Sequence, residues 1–191
     1  MSNVPLNTSD IDQYLGKKIA PARMKEPLHN NDFRRWVQAM HYANLLHYDH
    51  DYAAEGRWER LVAPQSFAVA VDDGHGAGPA CVGCIPDSHL IFGGDEWWFY
   101  GPRIYGGDDL VNEKVPFDYV VKDTSFAGPT CFQRGDNNYY NQDGDFIARQ
   151  RSTSIRYSRD AAVEMGAIDP SEDPEWSDQA LRELEELKDD D

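Results

Sequence analysis

His41, His47 and His50 place three of the chain's six histidines within ten positions, among Tyr42, Asn44, Asp49 and Asp51. Three kinds of chemistry use such a cluster. Imidazole and carboxylate could ligate a metal, provided that they converge on one point. A histidine with a nearby acid could move protons near neutral pH. The same residues could also simply be the solvated end of a helix. The spacing makes convergence of His41, His47, His50 and Asp49 hard to achieve across a helix-to-loop junction, and no metal is expected. His41 and His50 read as solvated helix-end residues.

Other chemistry-bearing residues are sparser. Cys81 and Cys84 form one C-x-x-C in a Gly-rich stretch, with no second ligand pair, so two reduced thiols are expected. Arg149, Arg151, Arg156 and Arg159 form the densest basic group. Lys and Arg total 18 against 34 Asp and Glu, a formal net charge of −16, which excludes a general affinity for nucleic acid. Half of that excess lies in residues 170–191, with ten acidic and two basic residues. No apolar run reaches the roughly 18 residues that cross a bilayer. The opening MSNVPLNTSD has no signal-peptide pattern, and a soluble cytoplasmic protein without a membrane partner is expected.

The elements that must position these groups follow from periodicity. TSDIDQY (8–14) opens like a capped helix. In the next segment, Asn31 or Asp32 is a plausible cap, and Phe33, Trp36, Val37 and Met40 recur at helical spacing. DHDYAAEGRW reads as a short helix ended by Gly56. Pro64 suits the first turn of a helix, and the apolar run to Val71 predicts a buried helix whose first N–H groups, near Gln65 and Ser66, are free. Beyond the Gly/Pro-rich residues 72–88 the pattern turns to strands, with a hairpin at Asn141-Gln142-Asp143-Gly144. Helices followed by an antiparallel meander predict an α+β fold. A single domain over 1–157 and an acidic extension over 158–191 are expected. Leu181, Leu184 and Leu187 would form the stripe of a short amphipathic helix there.

Four segments carry a resemblance: LGKKIAPAR, NLLHYDHDYAAEGRWERLVAPQSF, GGDEWWFYGPRIYGGDDL and YYNQDGDFIARQRSTSIRY. In this order they resemble the MaoC-like (R)-specific enoyl-CoA hydratases and 3-hydroxyacyl dehydratases, and more narrowly their N-terminal, fatty-acid-synthase-like dehydratase domain. The resemblance implies a hot-dog fold, a curved antiparallel sheet wrapped around a central helix, here Pro64–Val71. It also implies a hydro-lyase acting on a CoA thioester, with no cofactor.

Complete members carry Asp-x-Asn-Pro-x-His, in which the histidine takes a proton from water and the aspartate orients that water. Laid on this chain, the pattern gives Tyr42, Asn44, Leu45 and His47. The histidine is kept and the acid is lost, because a tyrosine with a pKa of about 10 is a poor carboxylate. The resemblance therefore implies a subunit of a heteromeric enoyl-CoA hydratase. It would shape the tunnel for a bulky acyl chain, steroid side chains included, while a second MaoC-like hot-dog subunit supplies Asp-x-Asn-Pro-x-His. The substrate-binding candidates are Asn44, Gln65 and Ser66, with Arg103, Arg149 and Arg151 for the CoA phosphates. The same arginines could instead pair with acids on the outer sheet face. Two alternatives stand beside this reading: a self-sufficient homodimeric hydratase using His47 with Tyr42, Asp49 or Asp51, and a non-catalytic acyl-CoA-binding module.

Overall fold

The computed structural model describes residues 6–24, 26–71 and 77–169. Among them five strands form one antiparallel sheet: β1 (Ile19–Arg23), β2 (Ser88–Phe99), β3 (Val111–Thr124), β4 (Gly128–Tyr140) and β5 (Phe146–Ser158). Their order is β1-β3-β4-β5-β2. β3, β4 and β5 make a meander of long strands, and β2 pairs with β5 along its whole length, leaving β2 as an edge. The β4–β5 hairpin falls where expected. Asn141 Oδ1 accepts from the N–H groups of Asp143 and Asp145, and Gly144 takes a φ of +82°.

Among the described residues three α-helices accompany the sheet: α1 (Asn30–Ala39), α2 (His50–Ala54) and α3 (Arg159–Glu164). α1 buries Phe33 and Val37 at helical spacing. Its cap is His29, two or three residues earlier than the predicted Asn31 or Asp32. The His29 N–H donates to the Asp32 carboxylate at 2.9 Å, so Asp32 acts from inside the first turn. Met40, predicted on the buried face, is 58 % exposed. The predicted helix at 8–14 is instead a series of turns that presses Ile11 into a small cluster with Ile85 and Cys131.

The predicted buried helix needs correction. Gln65–Val71 is a 3₁₀ helix, and it buries Phe67 and Ala68 while Gln65, Ser66 and Ala70 stay exposed. Two β-branched valines weaken an α-helix here, and 3₁₀ winding aligns residues three apart on one side. Phe67 packs edge-on against Phe33 and Trp36, at ring-centroid distances of 5.2 and 5.7 Å. The main core joins it to Leu28, Ala63, Ile104, Leu110, Tyr139 and Ala148.

A second piece, the 3₁₀ turn Gly78–Ala80, lies directly on the core face of β4. It approaches so closely that a Cβ on Gly135 would sit 2.2 Å from the Pro79 carbonyl carbon. Only glycine allows that contact. After β5, α3 is capped by Ser158 and returns Ala162 onto Ala127 and Tyr157. The leucine stripe at Leu181, Leu184 and Leu187 lies outside the described residues.

Candidate active site

The segment between α1 and α2 holds the histidine cluster, and the structure disperses it. His41 is exposed with a φ of +51°, His50 is the exposed first residue of α2, and His47 alone is buried, at 6 % exposure. Among the described residues no three His, Cys, Asp or Glu side chains converge as metal ligands.

His47 sits in the 3₁₀ turn Leu45–His47, which is capped by the Asn44 side chain accepting from Leu46 N–H at 3.1 Å. Its Nδ1 lies 2.6 Å from the main-chain oxygen of Val62. A carbonyl oxygen only accepts, so Nδ1 carries the proton, and in the neutral ring Nε2 keeps a lone pair. That is the tautomer of a general base. Among the described residues no carboxylate hydrogen-bonds this ring. Its ring neighbour is Tyr42, 51 % exposed, with centroids 5.5 Å apart. The Asn44 amide nitrogen also donates to the Tyr42 hydroxyl at 3.3 Å, so Asn44 ties these two positions together.

The acids offered as substitutes are placed differently. Asp49 caps α2 by accepting from Tyr52 N–H at 2.9 Å, and Asp51 is an exposed residue in the first turn of α2. Beside Tyr42 opens a cavity of about 430 Å³, lined by Arg34, Val37, Gln38, His41, Ala43 and Tyr48 as well as Tyr42. Ser66 accepts from the Trp36 indole N–H at 3.2 Å. The Phe67 N–H is spent on the Pro64 carbonyl, whereas those of Gln65 and Ser66 make no main-chain hydrogen bond among the described residues.

The three arginine candidates separate. Gln150 faces the core, so its neighbours Arg149 and Arg151 point to the outer face. There Arg151 makes a two-pronged ion pair with Asp136, at 2.6 and 2.8 Å, and lies 3.4 Å from the Phe117 ring centroid. Arg149 donates to Asn138 at 2.8 Å. Both therefore make the outer-face pairing named as their alternative, and sheet alternation keeps them from the side that carries Ala63, Tyr139 and Ala148. Arg103 lines a small cavity together with Ala63, Gln65 and Ile104.

A polar feature went unpredicted. Asn112 donates to Asn137 (3.0 Å), Asn137 to Gln150 (3.2 Å), and Gln150 to the exposed Asp95 of β2 (2.7 Å), with the Tyr139 hydroxyl also donating to Gln150. Buried amides joined this way fix one another's orientation and leave the Asp95 carboxylate held at the sheet edge. Nearby, the fully buried Ser152 hydroxyl has no partner among the described residues. Alternating polar residues within strands read as exposed faces, and no sequence signal separates them from an internal polar row.

Residues 13–150 match the FAS1-like dehydratase domain region, most of the chain. The chain belongs to that family. No curated protein is significantly similar in sequence. Among solved structures, the (R)-hydratase PhaJ1 of Pseudomonas aeruginosa is similar at a TM-score of 0.55 and 20 % identity, covering 76 % of this chain and 83 % of that one. The ChsH1–ChsH2 complex of Mycobacterium tuberculosis gives 0.63 and 15 %, covering 78 % and 95 %. The HadBC (3R)-hydroxyacyl-ACP dehydratase complex of M. tuberculosis gives 0.54 and 15 %, covering 73 % and 96 %. These likenesses establish the hot-dog fold for this family member. No helix among its described residues is long and apolar enough to cross a membrane.

Proposed function

We propose that this family member is one subunit of a heteromeric enoyl-thioester hydro-lyase and that it requires a second hot-dog subunit for turnover. The observation that carries this reading is the half-built proton-transfer pair. His47 is buried and locked in the base-ready tautomer by Val62, yet Tyr42 stands where a carboxylate would complete it.

Hydration of an enoyl thioester forms a C–O bond at the β-carbon. One water proton goes to a base and a proton is delivered to the α-carbon. A single imidazole without an acid partner does only part of this. The partner's own Asp-x-Asn-Pro-x-His would supply a complete pair, while this chain contributes the cleft beside Tyr42. The free N–H groups of Gln65 and Ser66 would face the thioester oxygen as negative charge develops on it.

A second observation supports a partner. β2 is a 12-residue edge strand, and it exposes Leu90, Ile91, Phe92, Trp98 and Phe99. A long apolar edge is an open pairing site unless another strand covers it. The heteromeric ChsH1–ChsH2 and HadBC complexes share the fold, which makes a hot-dog subunit the natural occupant. A bulky acyl group, steroid side chains included, is the substrate that a split tunnel would suit.

The locked tautomer of His47 also favours a second reading, a homodimer in which His47 is itself the base. Hydration assays of the chain alone and with its hot-dog partner, each with His47→Ala, separate the two readings. Turnover by the isolated chain that is lost in His47→Ala would establish the second.

A further inference from the structure

The outer face of the sheet carries an apolar row that crosses its strands. Ile155 of β5 pairs with Phe132 of β4 on one side and with Ile91 of β2 on the other, and Phe132 pairs with Val120 of β3. Strand alternation puts all four on the face that carries Arg151. Val120 is 46 % exposed and Ile91 44 %, while Phe132 and Ile155 are half-buried. Beyond one end of the row the exposed Phe126 stands edge-on against Tyr157, at 5.1 Å between ring centroids. A contiguous apolar patch of this kind is a surface for other apolar groups. The ion pairs Arg134–Asp118 and Arg151–Asp136 balance the charges beside it, so an acidic segment meets no net repulsion there.

The path of the chain leads back to this patch. α3 ends in a left-handed glycine turn, in which Gly166 has a φ of +71°. The Gly166 N–H donates to the Val163 carbonyl and the Ala167 N–H to that of Ala162, both at 2.9 Å. This pair of bonds closes the helix and reverses the chain. Ile168 then packs against Ala127, Tyr157 and Ala162. Tyr157 shares a strand face with Ile155 and lies two residues from it, roughly 7 Å along β5. The chain therefore leaves its last described residue, Asp169, beside the apolar row.

Residues 170–191 follow, and among their acids Leu181, Leu184 and Leu187 stand at helical spacing. As a helix, 177–188 would span about 18 Å. The three strand gaps of the row span about 14 Å. A helix of that length is marginal alone in water, so its leucines need a surface. We propose that residues 170–191 fold back over the outer face of the sheet. Leu181, Leu184 and Leu187 cover Val120, Phe132 and Ile155, and the acidic positions face solvent. Ile91, the fourth member of the row, stays at the β2 edge, where a hot-dog partner would pair. The outer face is then closed to a second copy of this chain. The proposal stands on the fold and the sequence, and it holds whether or not the chain takes part in a hydro-lyase.

The test is amide hydrogen exchange, read by mass spectrometry on the full chain and on the variants Val120→Asp, Leu184→Asp and Glu186→Asp. In the wild type, peptides covering 177–188 should exchange at least about tenfold more slowly than an unstructured peptide, at every protein concentration. Val120→Asp should remove that protection from a distance, while β4 and β5 keep theirs. Leu184→Asp should remove it as well. Glu186→Asp, the same new residue on the opposite side of the helix, should leave it in place. Should Val120→Asp misfold, the contrast between the last two variants still decides the matter. An unprotected 177–188 in the wild type, protection untouched by Val120→Asp in a folded chain, or equal loss in Leu184→Asp and Glu186→Asp would overturn the proposal. So would protection that grows with protein concentration, which would assign the face to a second copy. Protection that arises only on adding a hot-dog partner would overturn it too, and would assign the leucines to that partner.

Discussion

The Nδ1–H of His47 points at the main-chain oxygen of Val62 across 2.6 Å, fifteen residues further along the chain. This bond selects the tautomer and joins the histidine segment to the stretch that also carries Arg60 and Ala63. Replacing His47 by alanine removes the ring and leaves the Val62 carbonyl buried without its donor, a loss of about 1–3 kcal/mol. Chemical denaturation of His47→Ala should show that loss. In the assembled hydro-lyase the same substitution should change kcat by no more than about tenfold, because the partner brings its own base. A fall of about 10²–10⁴, the usual value of a general base, would move that role to His47.

Gly135 is where the sheet receives the turn Gly78–Ala80. Gly135→Ala drives a methyl into the Pro79 carbonyl, and backbone rather than a flexible side chain must move. We expect a loss of about 3 kcal/mol or more in urea denaturation, at the upper end of overpacking effects. Gly101→Ala, where an added Cβ meets nothing within 4 Å, should be nearly silent.

The three thiols should differ in reactivity. Burial pushes the Cys131 thiol from its ordinary 9.0 up to about 11, burial also raises that of Cys81, and Cys84 is exposed. Alkylation at pH 8 followed by mass spectrometry should label Cys84 first and Cys131 only after unfolding. The sign for stability follows from the same shift. Above about pH 9 the unfolded thiol ionises while the folded one stays protonated, so Cys131 lowers stability progressively as pH rises toward 11.

On β2, Phe92 is 64 % exposed, so Phe92→Glu should leave the melting temperature of the isolated chain within a few degrees. The same change, made together with Ile91→Lys, should abolish co-purification with the hot-dog partner. Unchanged association would remove β2 as the interface.

Local chemistry explains which features the sequence disclosed. Asn141 to Gly144 form a turn whose side-chain and glycine requirements are carried by those residues themselves, and the helical spacing of Phe33 and Val37 identifies α1 in the same way. The Gln65–Val71 helix misled because an apolar run marks burial without distinguishing a helix surrounded by protein from a 3₁₀ helix buried on one side. Asn112, Asn137 and Gln150 were invisible as a core row, since their partners lie on neighbouring strands. In the site, the Tyr42–His47 spacing was legible through the family pattern, whereas the Val62 contact and the pairing of Arg151 with Asp136 are tertiary.

The most direct measurement is the rate of enoyl-CoA hydration by this chain purified alone, by its hot-dog partner alone and by the two together. A two-subunit hydro-lyase requires negligible turnover by this chain alone and a large gain on mixing with a partner that carries an intact Asp-x-Asn-Pro-x-His. Full turnover by the isolated chain would contradict it.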